Sequence, residues 1–332
     1  MNNEIAITGF GCVIGGEESL ERWLREPSDH SPSRRIDPAV YKSELSFIPQ
    51  GPFELPRIEK IVAATLQKTL KSAKISITDE NSSRCAILMG NTYGSEEFKT
   101  SSLRGIERKE PAKIFLVPYS ATNALAAKMS IMFNFKGPDI TFSSGAVSAS
   151  EAILVGSDLI NDGRADIVFV GGINVICDDL EEAFDQCGFR QESCAFVVLE
   201  KKKSARTAGK KIHATLGDGR HGFCADKDMQ VPQKIIKSFL GRGNQTKSRS
   251  VILNRGNSFG EKFSDNEKFI KGLAGKKNFI SLDDLLGNTF CASGALGAIL
   301  GSLLLDGKKA IKEVLFVNQD SFGSYVSMVI RR

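Results

Sequence analysis

The chain has 332 residues, of which 41% are hydrophobic and 25% are charged. This length can bury a large core, and the composition is ordinary for a soluble globular protein. The formal net charge of +5, from 44 basic and 39 acidic residues, is too small to predict nucleic-acid binding, although it suits an acidic protein partner.

Cysteine and histidine residues are few and scattered. Seven Cys residues occur without a Cys-x-x-Cys pair, which predicts reduced thiols in a cytosolic protein. The amino-terminal sequence MNNEIAITGF lacks a signal peptide's basic region and apolar core, and the longest apolar run, near Ala292–Leu305, is too short to span a bilayer. Neither Cys–His nor carboxylate clusters show metal-ligand spacing. We predict a cytoplasmic chain with no metal or cofactor and no membrane or nucleic-acid partner.

The predicted elements alternate between strands and helices. The chain begins with a strand at Glu4–Thr8, and Gly9 and Gly11 predict a tight turn directly after it. A polar surface connection is expected over Trp23–Phe53. The other predicted elements are helices at Arg57–Ser76, Pro232–Leu240 and Asp265–Leu273, and strands at Cys85–Gly90, Cys194–Leu199 and Val251–Leu253.

One pattern occurs twice. The sequence TFSSGA at residues 141–146, then a helix and a strand at 166–170, is mirrored by TFCASGA at 289–295, a helix and a strand at 314–317. Strands alternating with helices predict βαβ units and largely parallel sheets. The repeat predicts two fused halves, residues 1–203 and 204–332, that form one compact unit.

The stretch GPDITFSSGAVSASEAILVGSDLINDGRADIVFVGG, from Gly137 to Gly172, resembles the nucleophile strand, turn and helix of the β-ketoacyl synthases. In that family a Cys that attacks an acyl thioester follows a Gly-Pro pair, eight residues after the Pro. The matching position here is Ala146. The carboxyl-terminal sequence NQDSFGSYVSMVI also fits the family's NSFGFGGTNxxLI, with Phe322 at the gate phenylalanine. The resemblance implies an α/β, thiolase-like layered αβαβα fold made of two duplicated halves.

The family's two catalytic His residues are also replaced. Its NAHGT motif falls on residues 253–257, which puts Arg255 at the first His. Its KSxxGHxxGAAG motif falls on residues 283–294, which puts Asn288 at the second His and Asp283 at the Lys. Ala146 cannot form a thioester, Arg255 stays protonated, and Asn288 cannot shuttle a proton. The resemblance therefore predicts no catalytic residues in this chain.

A ketosynthase-like chain without this chemistry resembles the chain length factors of type II polyketide synthases. That resemblance implies a heterodimer with an active ketosynthase alpha subunit, acting on an acyl carrier protein, and a tunnel that sets product length. Product identity, an aromatic polyketide or a polyene, stays open. The candidate tunnel residues are Phe115, Leu116 and Tyr119, followed by Met129, Met132 and Phe133.

Other functions remain open from the residues. The chain could be a self-sufficient homodimer that transfers acyl groups or decarboxylates malonyl thioesters, or a stand-alone acyl-binding scaffold. Ser143 and Ser144 are possible replacement nucleophiles, although Ser residues before a helix usually cap it. Cys291 stands at the mirrored helix start, where a lowered thiol pKa is possible but packing of small residues is the commoner role.

Overall fold

The computed structural model describes residues 4–15, 20, 35–48, 55–110, 119–177, 191–224, 230–240, 248–255, 271–272, 274, 278–308, 310–320 and 322–332. Phe115 and Leu116 lie outside these ranges, as does most of the predicted helix Asp265–Leu273.

Strands and helices alternate along most of the described chain. The strands are β1 (Ile5–Ile14), β2 (Cys85–Gly90), β3 (Asp139–Phe142), β4 (Ile167–Asn174), β5 (Ser193–Lys201), β6 (Ala214–Phe223), β7 (Arg249–Asn254), β8 (Phe279–Ser281), β9 (Glu313–Gln319) and β10 (Ser324–Arg331). The helices are α1 (Lys42–Leu45), α2 (Arg57–Ala73), α3 (Glu96–Glu107), α4 (Ala124–Phe133), α5 (Ser148–Asn161), α6 (Lys202–Thr207), α7 (Gln230–Leu240), α8 (Leu282–Leu286) and α9 (Ser293–Gly307). Short 3-10 helices lie at Pro38–Tyr41, Ser82–Arg84, Gly145–Val147 and Phe290–Ala292.

The strands form one sheet whose two parts repeat the same strand order. The order is β3-β2-β4-β5-β1-β6-β10-β9-β7-β8. The first set is β1–β5 and the second is β6–β10. Read from its outer edge inward, each set has its third strand first, followed by its second, fourth, fifth and first strands. The two sets meet where residues 5–7 of β1 pair with residues 214–216 of β6. The repeated order is the duplication that the sequence pattern predicts.

The expectation of largely parallel sheets is wrong. Strand β2 pairs in parallel with β3 and β4, and β7 with β8 and β9. The other described pairings are antiparallel. The reason is visible between β9 and β10, where only residues 320–323 connect the strands. A connection this short can only reverse the chain direction, because a parallel neighbour needs a long crossover.

Helices α5 and α9 form the middle layer of the fold. They pack on each other, α5 lies against β2 and β4, and α9 lies against β9. Helix α2 covers β1 and β5. Along β9, Val314 and Phe316 belong to the central hydrophobic cluster, whereas Leu315 and Val317 pack with Ile236 of α7. The protein therefore has the layered αβαβα, thiolase-like fold predicted from the sequence.

The predicted turn after Thr8 is wrong, because β1 continues through Gly9 and Gly11 to Ile14. A Cβ atom at Gly9 would lie 2.5 Å from the Cβ of Ala73, and one at Gly11 would lie 2.7 Å from Oγ1 of Thr69. Both distances are too short for real carbon contacts. The glycines allow α2 to pack closely on the strand and do not reverse the chain.

The predicted surface connection at Trp23–Phe53 is confirmed for most of the part that the structure describes, residues 35–48, which is exposed or half-buried, but two residues in it are buried. Ile36 and Tyr41 are only 1% and 2% exposed. The N–H of Ile36 donates to the buried carboxylate of Glu192, which also accepts from the guanidinium of Arg57. Ile36 and Tyr41 both belong to a buried hydrophobic cluster, so they attach this surface stretch to the core.

Other predicted elements are confirmed. The strand at Cys85–Gly90 has the predicted bounds, and the predicted helix from Arg57 ends at Ala73 with its predicted apolar face buried. The predicted strands at 194–199 and 251–253 lie within β5 and β7. The helix predicted from Pro232 begins two residues earlier, at Gln230.

Candidate functional site

Ala146 lies in a buried turn between β3 and α5. The 3-10 helix Gly145–Val147 begins with Gly145 in a left-handed conformation, at φ +64°. The hydroxyl of Ser148 donates to the carbonyl of Gly145 at 2.7 Å and accepts the N–H of Ser144 at 2.9 Å. Ala146 itself is 0% exposed. The side chain at this position is a buried methyl group, which cannot act as a nucleophile.

The same turn recurs in the second half. Its residues correspond to those of the first turn differently from the way the sequence repeat aligns them. The 3-10 helix Phe290–Ala292 precedes α9 as Gly145–Val147 precedes α5, and Phe290 also has a positive φ, +42°. Ala146 therefore corresponds to Cys291, whereas matching the two sequences on their Ser-Gly-Ala endings pairs it with Ala295. Small residues recur throughout both helix starts, so an alignment of the two turns by residue type is ambiguous. The positive φ angles of Gly145 and Phe290 give the correct alignment.

Asn318, near the end of β9, holds the turn from the other half. Its side-chain Nδ2 donates to the carbonyl oxygen of Ala146 at 2.9 Å, and Ser293 Oγ donates to the same oxygen at 2.8 Å. Its Oδ1 accepts from Nδ2 of Asn254 at 2.7 Å. All of these groups are buried. The Ala146 turn is thus fixed by hydrogen bonds across the two halves.

Arg255 is bound to two aspartates. Its main-chain N–H donates to Oδ2 of Asp283 at 2.7 Å, and its guanidinium donates to Oδ1 of Asp284 at 2.6 Å. Burial raises the pKa of Asp283, although Arg255 opposes that shift. The structure therefore brings together the residues at the family's first His and its Lys positions. A protonated guanidinium held in this way offers no base.

Asn288 is buried beside the mirrored turn. Its Oδ1 accepts from the main-chain N–H of Phe290 at 2.9 Å, and its carbonyl accepts from the N–H of Gln191 at 3.1 Å. Its Nδ2 has no hydrogen-bond partner in the part of the chain that the structure describes. The amide orients Phe290, and it cannot transfer a proton.

Asp320 contributes a carboxylate that the sequence analysis missed. Its Oδ1 accepts from the N–H groups of Phe322 and Ser324 at 2.9 and 3.0 Å. Its Oδ2 would lie 3.4 Å from a Cβ atom placed on Gly145. Burial raises the pKa of Asp320, although the backbone hydrogen bonds oppose that shift. The available signal was an acidic residue within a motif that is otherwise aromatic and glycine-rich in the family. The predicted gate residue Phe322 is 75% exposed, and its gating role stays a prediction.

Tyr93 and Phe290 form an aromatic pair that the sequence analysis also missed. Their ring centroids are 5.2 Å apart and the rings are stacked. The Cζ atom of Phe290 would lie 3.8 Å from a Cβ atom on Gly145. Tyr93 follows β2 and Phe290 follows α8, so their contact depends on the tertiary fold.

The alternative nucleophiles lack the environment that catalysis needs. The thiol of Cys291 donates to Oγ1 of Thr92 at 3.1 Å, and burial raises its pKa. Ser144 donates its hydroxyl to the carboxylate of Glu151. The structure places His213 against Phe10, away from this turn. Burial and packing account for Cys291, and the hydrogen bond to Glu151 accounts for the hydroxyl of Ser144, which does not cap the helix as predicted.

The predicted tunnel residues lie in two environments. The ring of Tyr119 is 5.1 Å from the ring of Phe98, and Nζ of Lys128 lies 3.3 Å from its centre. Met129 and Phe133 are buried in the core cluster beneath α4, with Met132 packed against it. Their role in a tunnel stays a prediction.

One stretch within the described residues, Phe290–Gly307, is long and apolar enough to cross a membrane by length and composition. It is 78% buried inside the protein. This is the burial expected of a core helix, since α9 lies in the middle layer.

Residues 54–196 match the family described as "Beta-ketoacyl synthase, N-terminal domain". This segment is therefore similar to a ketosynthase domain. It contains Ala146 and runs from the start of α2 into β5. Ala146 therefore lies inside the matched segment, and its assignment to the family's nucleophile position stays a prediction.

Two curated relatives are less than 30% identical to this chain over about half of its length. Nodulation protein E of Rhizobium leguminosarum bv. trifolii is 29% identical over 196 residues, which are 52% of this chain and 47% of that protein. The 3-oxoacyl-(acyl-carrier-protein) synthase 2 of Vibrio cholerae is 26% identical over 188 residues, 48% of this chain and 45% of that protein. The ketosynthase-like chain thus spans about half the length of these relatives.

Solved structures match the whole chain. One is a ketosynthase/chain length factor for ishigamide, with a TM-score of 0.79 at 15% identity, covering 100% of this chain and 99% of that one. Another is a type II polyketide synthase acyl carrier protein in complex with its ketosynthase bound to the hexaketide, with a TM-score of 0.77 at 17% identity and the same coverage. At these identities the similarity shows the ketosynthase fold.

Proposed function

We propose that this chain is a non-catalytic ketosynthase-like subunit, a chain length factor, that pairs with an active ketosynthase. The observation that carries the proposal is the turn at Ala146. Hydrogen bonds from the second half fix its backbone, and its side chain cannot accept an acyl group. Arg255 and Asn288 supply no base beside it.

The flank of the molecule that carries β3 supports a partner subunit. Within the described residues β3 pairs only with β2, so its other edge has unpaired backbone groups. Ile131 on the adjacent α4 is 83% exposed. A groove of about 600 Å³ between α5 and β6 is lined by apolar residues such as Phe142 and Leu154 and by charged residues such as Glu151 and Arg331. An open strand edge beside partly apolar surface fits a large protein interface.

The chemistry of the proposed pair would belong to the partner. The partner's Cys and His residues would decarboxylate malonyl units on an acyl carrier protein and condense them with the growing polyketide. The net charge of +5 suits an acidic carrier. We place the pair in the cytoplasm, in line with the unpaired Cys pattern of the sequence.

Tyr119 is the described residue best placed to limit chain length. It lies between Phe98 and Lys128, near the start of α4, and its aromatic ring is only partly buried. Met129 and Phe133 are packed in the core, so changes there would act mainly through stability. Phe115 and Leu116 remain candidates of the same segment.

Co-expression with a ketosynthase that contains Cys and two His residues tests the proposal. We expect size-exclusion chromatography to give a one-to-one heterodimer, and mass spectrometry with acyl-carrier-protein thioesters to find acyl groups on the partner only. Covalent acyl loading on this chain, or carbon dioxide release by the chain alone at an enzymatic rate, would support a self-sufficient enzyme. A stable homodimer that does not bind the ketosynthase would support a stand-alone scaffold.

A further inference from the structure

The side chain of Ala146 is inaccessible to solvent, although the residue before it is partly exposed. Gly145 is partly exposed, whereas Ala146 next to it is 0% exposed. A Cβ atom placed on Gly145 would have Oδ2 of Asp320 at 3.4 Å and Cζ of Phe290 at 3.8 Å as its nearest neighbours. Phe290 in turn is stacked on Tyr93. An aromatic pair and a carboxylate therefore lie beside Gly145, the residue that precedes Ala146.

Phe290 is held in an unfavourable conformation to reach this position. Its φ of +42° is in the left-handed region, which a bulky aromatic residue rarely adopts. The amide of Asn288 accepts its N–H, and Ala292 closes the turn by donating its N–H to the carbonyl of Thr289. Backbone strain of this kind persists where the surroundings enforce it, often at functional sites. The corresponding position of the first half is a glycine, Gly145, which adopts this conformation without strain.

We propose that Tyr93 and Phe290 form a plug that closes the space beside Ala146 to linear acyl chains. The two rings fill the approach to the turn from β2 and from the mirrored helix start. The chain would then be unable to bind an acyl group at its own turn even if a thiol were restored there. This inference goes beyond the proposed function, because it concerns this chain's own turn and does not depend on any partner.

The test uses Ala146→Cys as a reporter in the full-length chain. At pH 9 the purified variant is treated with methyl or octyl methanethiosulfonate, in which the thiolate attacks the sulfenyl sulfur, a disulfide forms and methanesulfinate leaves. Peptide mapping by mass spectrometry separates the introduced thiol from the native Cys residues. We expect the octyl reagent to react at least about tenfold more slowly than the methyl reagent, because it must displace packed rings.

Opening the plug should abolish that difference. Adding Tyr93→Ala or Phe290→Gly to the reporter should bring the octyl rate to within about twofold of the methyl rate. Glycine also suits the positive φ of residue 290, so the second change should not unfold the turn. Phe47→Ala is the matched control, since it removes one ring of another aromatic pair, with Phe133 at 5.2 Å, and should leave the ratio unchanged.

Two results would overturn the proposal. One is an octyl rate equal to the methyl rate in Ala146→Cys alone. The other is a large rate difference that survives both Tyr93→Ala and Phe290→Gly in folded protein, as judged by thermal melting. Because the comparison is made between two reagents on one thiol, the pKa of that thiol cancels. Failure here would leave the proposed partner role untouched, since no partner takes part.

Discussion

The side-chain amide of Asn318 donates to the carbonyl oxygen of Ala146 at 2.9 Å, across 172 positions of the chain. The bond joins the end of β9 in the second half to the nucleophile turn of the first. Ser293 reaches the same oxygen from α9. The turn is therefore a junction between the halves, and hydrogen bonds from the second half fix its geometry.

Replacing Asn318 by Ala should destabilise the protein by about 2–4 kcal/mol. The change removes a donor from the Ala146 carbonyl and leaves Nδ2 of Asn254 buried without its acceptor. Urea denaturation measures the loss. Asn161→Ala is the control, because Asn161 is exposed at the end of α5. A loss equal to that of the control would contradict the junction role.

Ala146→Cys should give an unreactive thiol. A helix start lowers a thiol pKa, but burial and the neighbouring carboxylate of Asp320 raise it. Burial already raises the pKa of Cys194 to about 12 and that of Cys85 to about 11. We expect iodoacetamide alkylation at pH 7.5 at least about tenfold slower than for a free thiol, rising above about pH 9. A rate that levels off below pH 8 would indicate an activated nucleophile.

The products of the proposed heterodimer should be the same with Ala146→Cys as with the unaltered chain.

Tyr119→Ala should change product length while turnover continues. Removing the ring opens space between Phe98 and Lys128, so the proposed tunnel should admit longer or mixed products. Mass spectrometry of products made by the reconstituted pair measures the distribution. Leu103→Ala is the control, because Leu103 lies on α3, is 59% exposed and is not a candidate tunnel residue. Identical product lengths in Tyr119→Ala and the unaltered pair would remove Tyr119 from the tunnel assignment.

Gly9→Ala should lower stability by about 3 kcal/mol or more, since the new Cβ would collide with α2 at Ala73. Thermal melting measures the effect. Gly307→Ala is the control, because a Cβ there would meet no atom within 4 Å. If Gly9 acted only through turn flexibility, the two variants would lose similar amounts.

Glu313→Gln should lower stability near neutral pH but not in acid. Burial opposes ionisation of Glu313, but Arg249 and Arg331, at 2.9 and 3.0 Å, outweigh it and lower its pKa. A lowered folded-state pKa gives stability that is present above the unfolded pKa, about 4.5, and is lost as the pH falls through the folded value. We expect a deficit of about 0.5–1 kcal/mol at pH 7 that disappears toward pH 3. Urea titrations at both pH values measure it, with exposed Glu97→Gln as the control.

The elements that were predicted correctly depend on neighbouring residues. The strand at Cys85–Gly90 and the apolar face of α2 follow from local periodicity, which is set within a few residues. The glycines of β1 were misinterpreted, because their role depends on α2, about 60 residues away. Pairing direction was misjudged for the same reason: it depends on how the connections between strands run.

What the site cannot do follows from the residues alone, because the ability to form a thioester or accept a proton belongs to each side chain. Ala146, Arg255 and Asn288 lack these abilities in any fold. Their surroundings, in contrast, depend on the folded chain. Folding joined Arg255 to Asp283, placed Asp320 beside Gly145 and stacked Phe290 on Tyr93. These contacts link segments far apart in the chain, and such distances are fixed only when helices and sheet pack into one core.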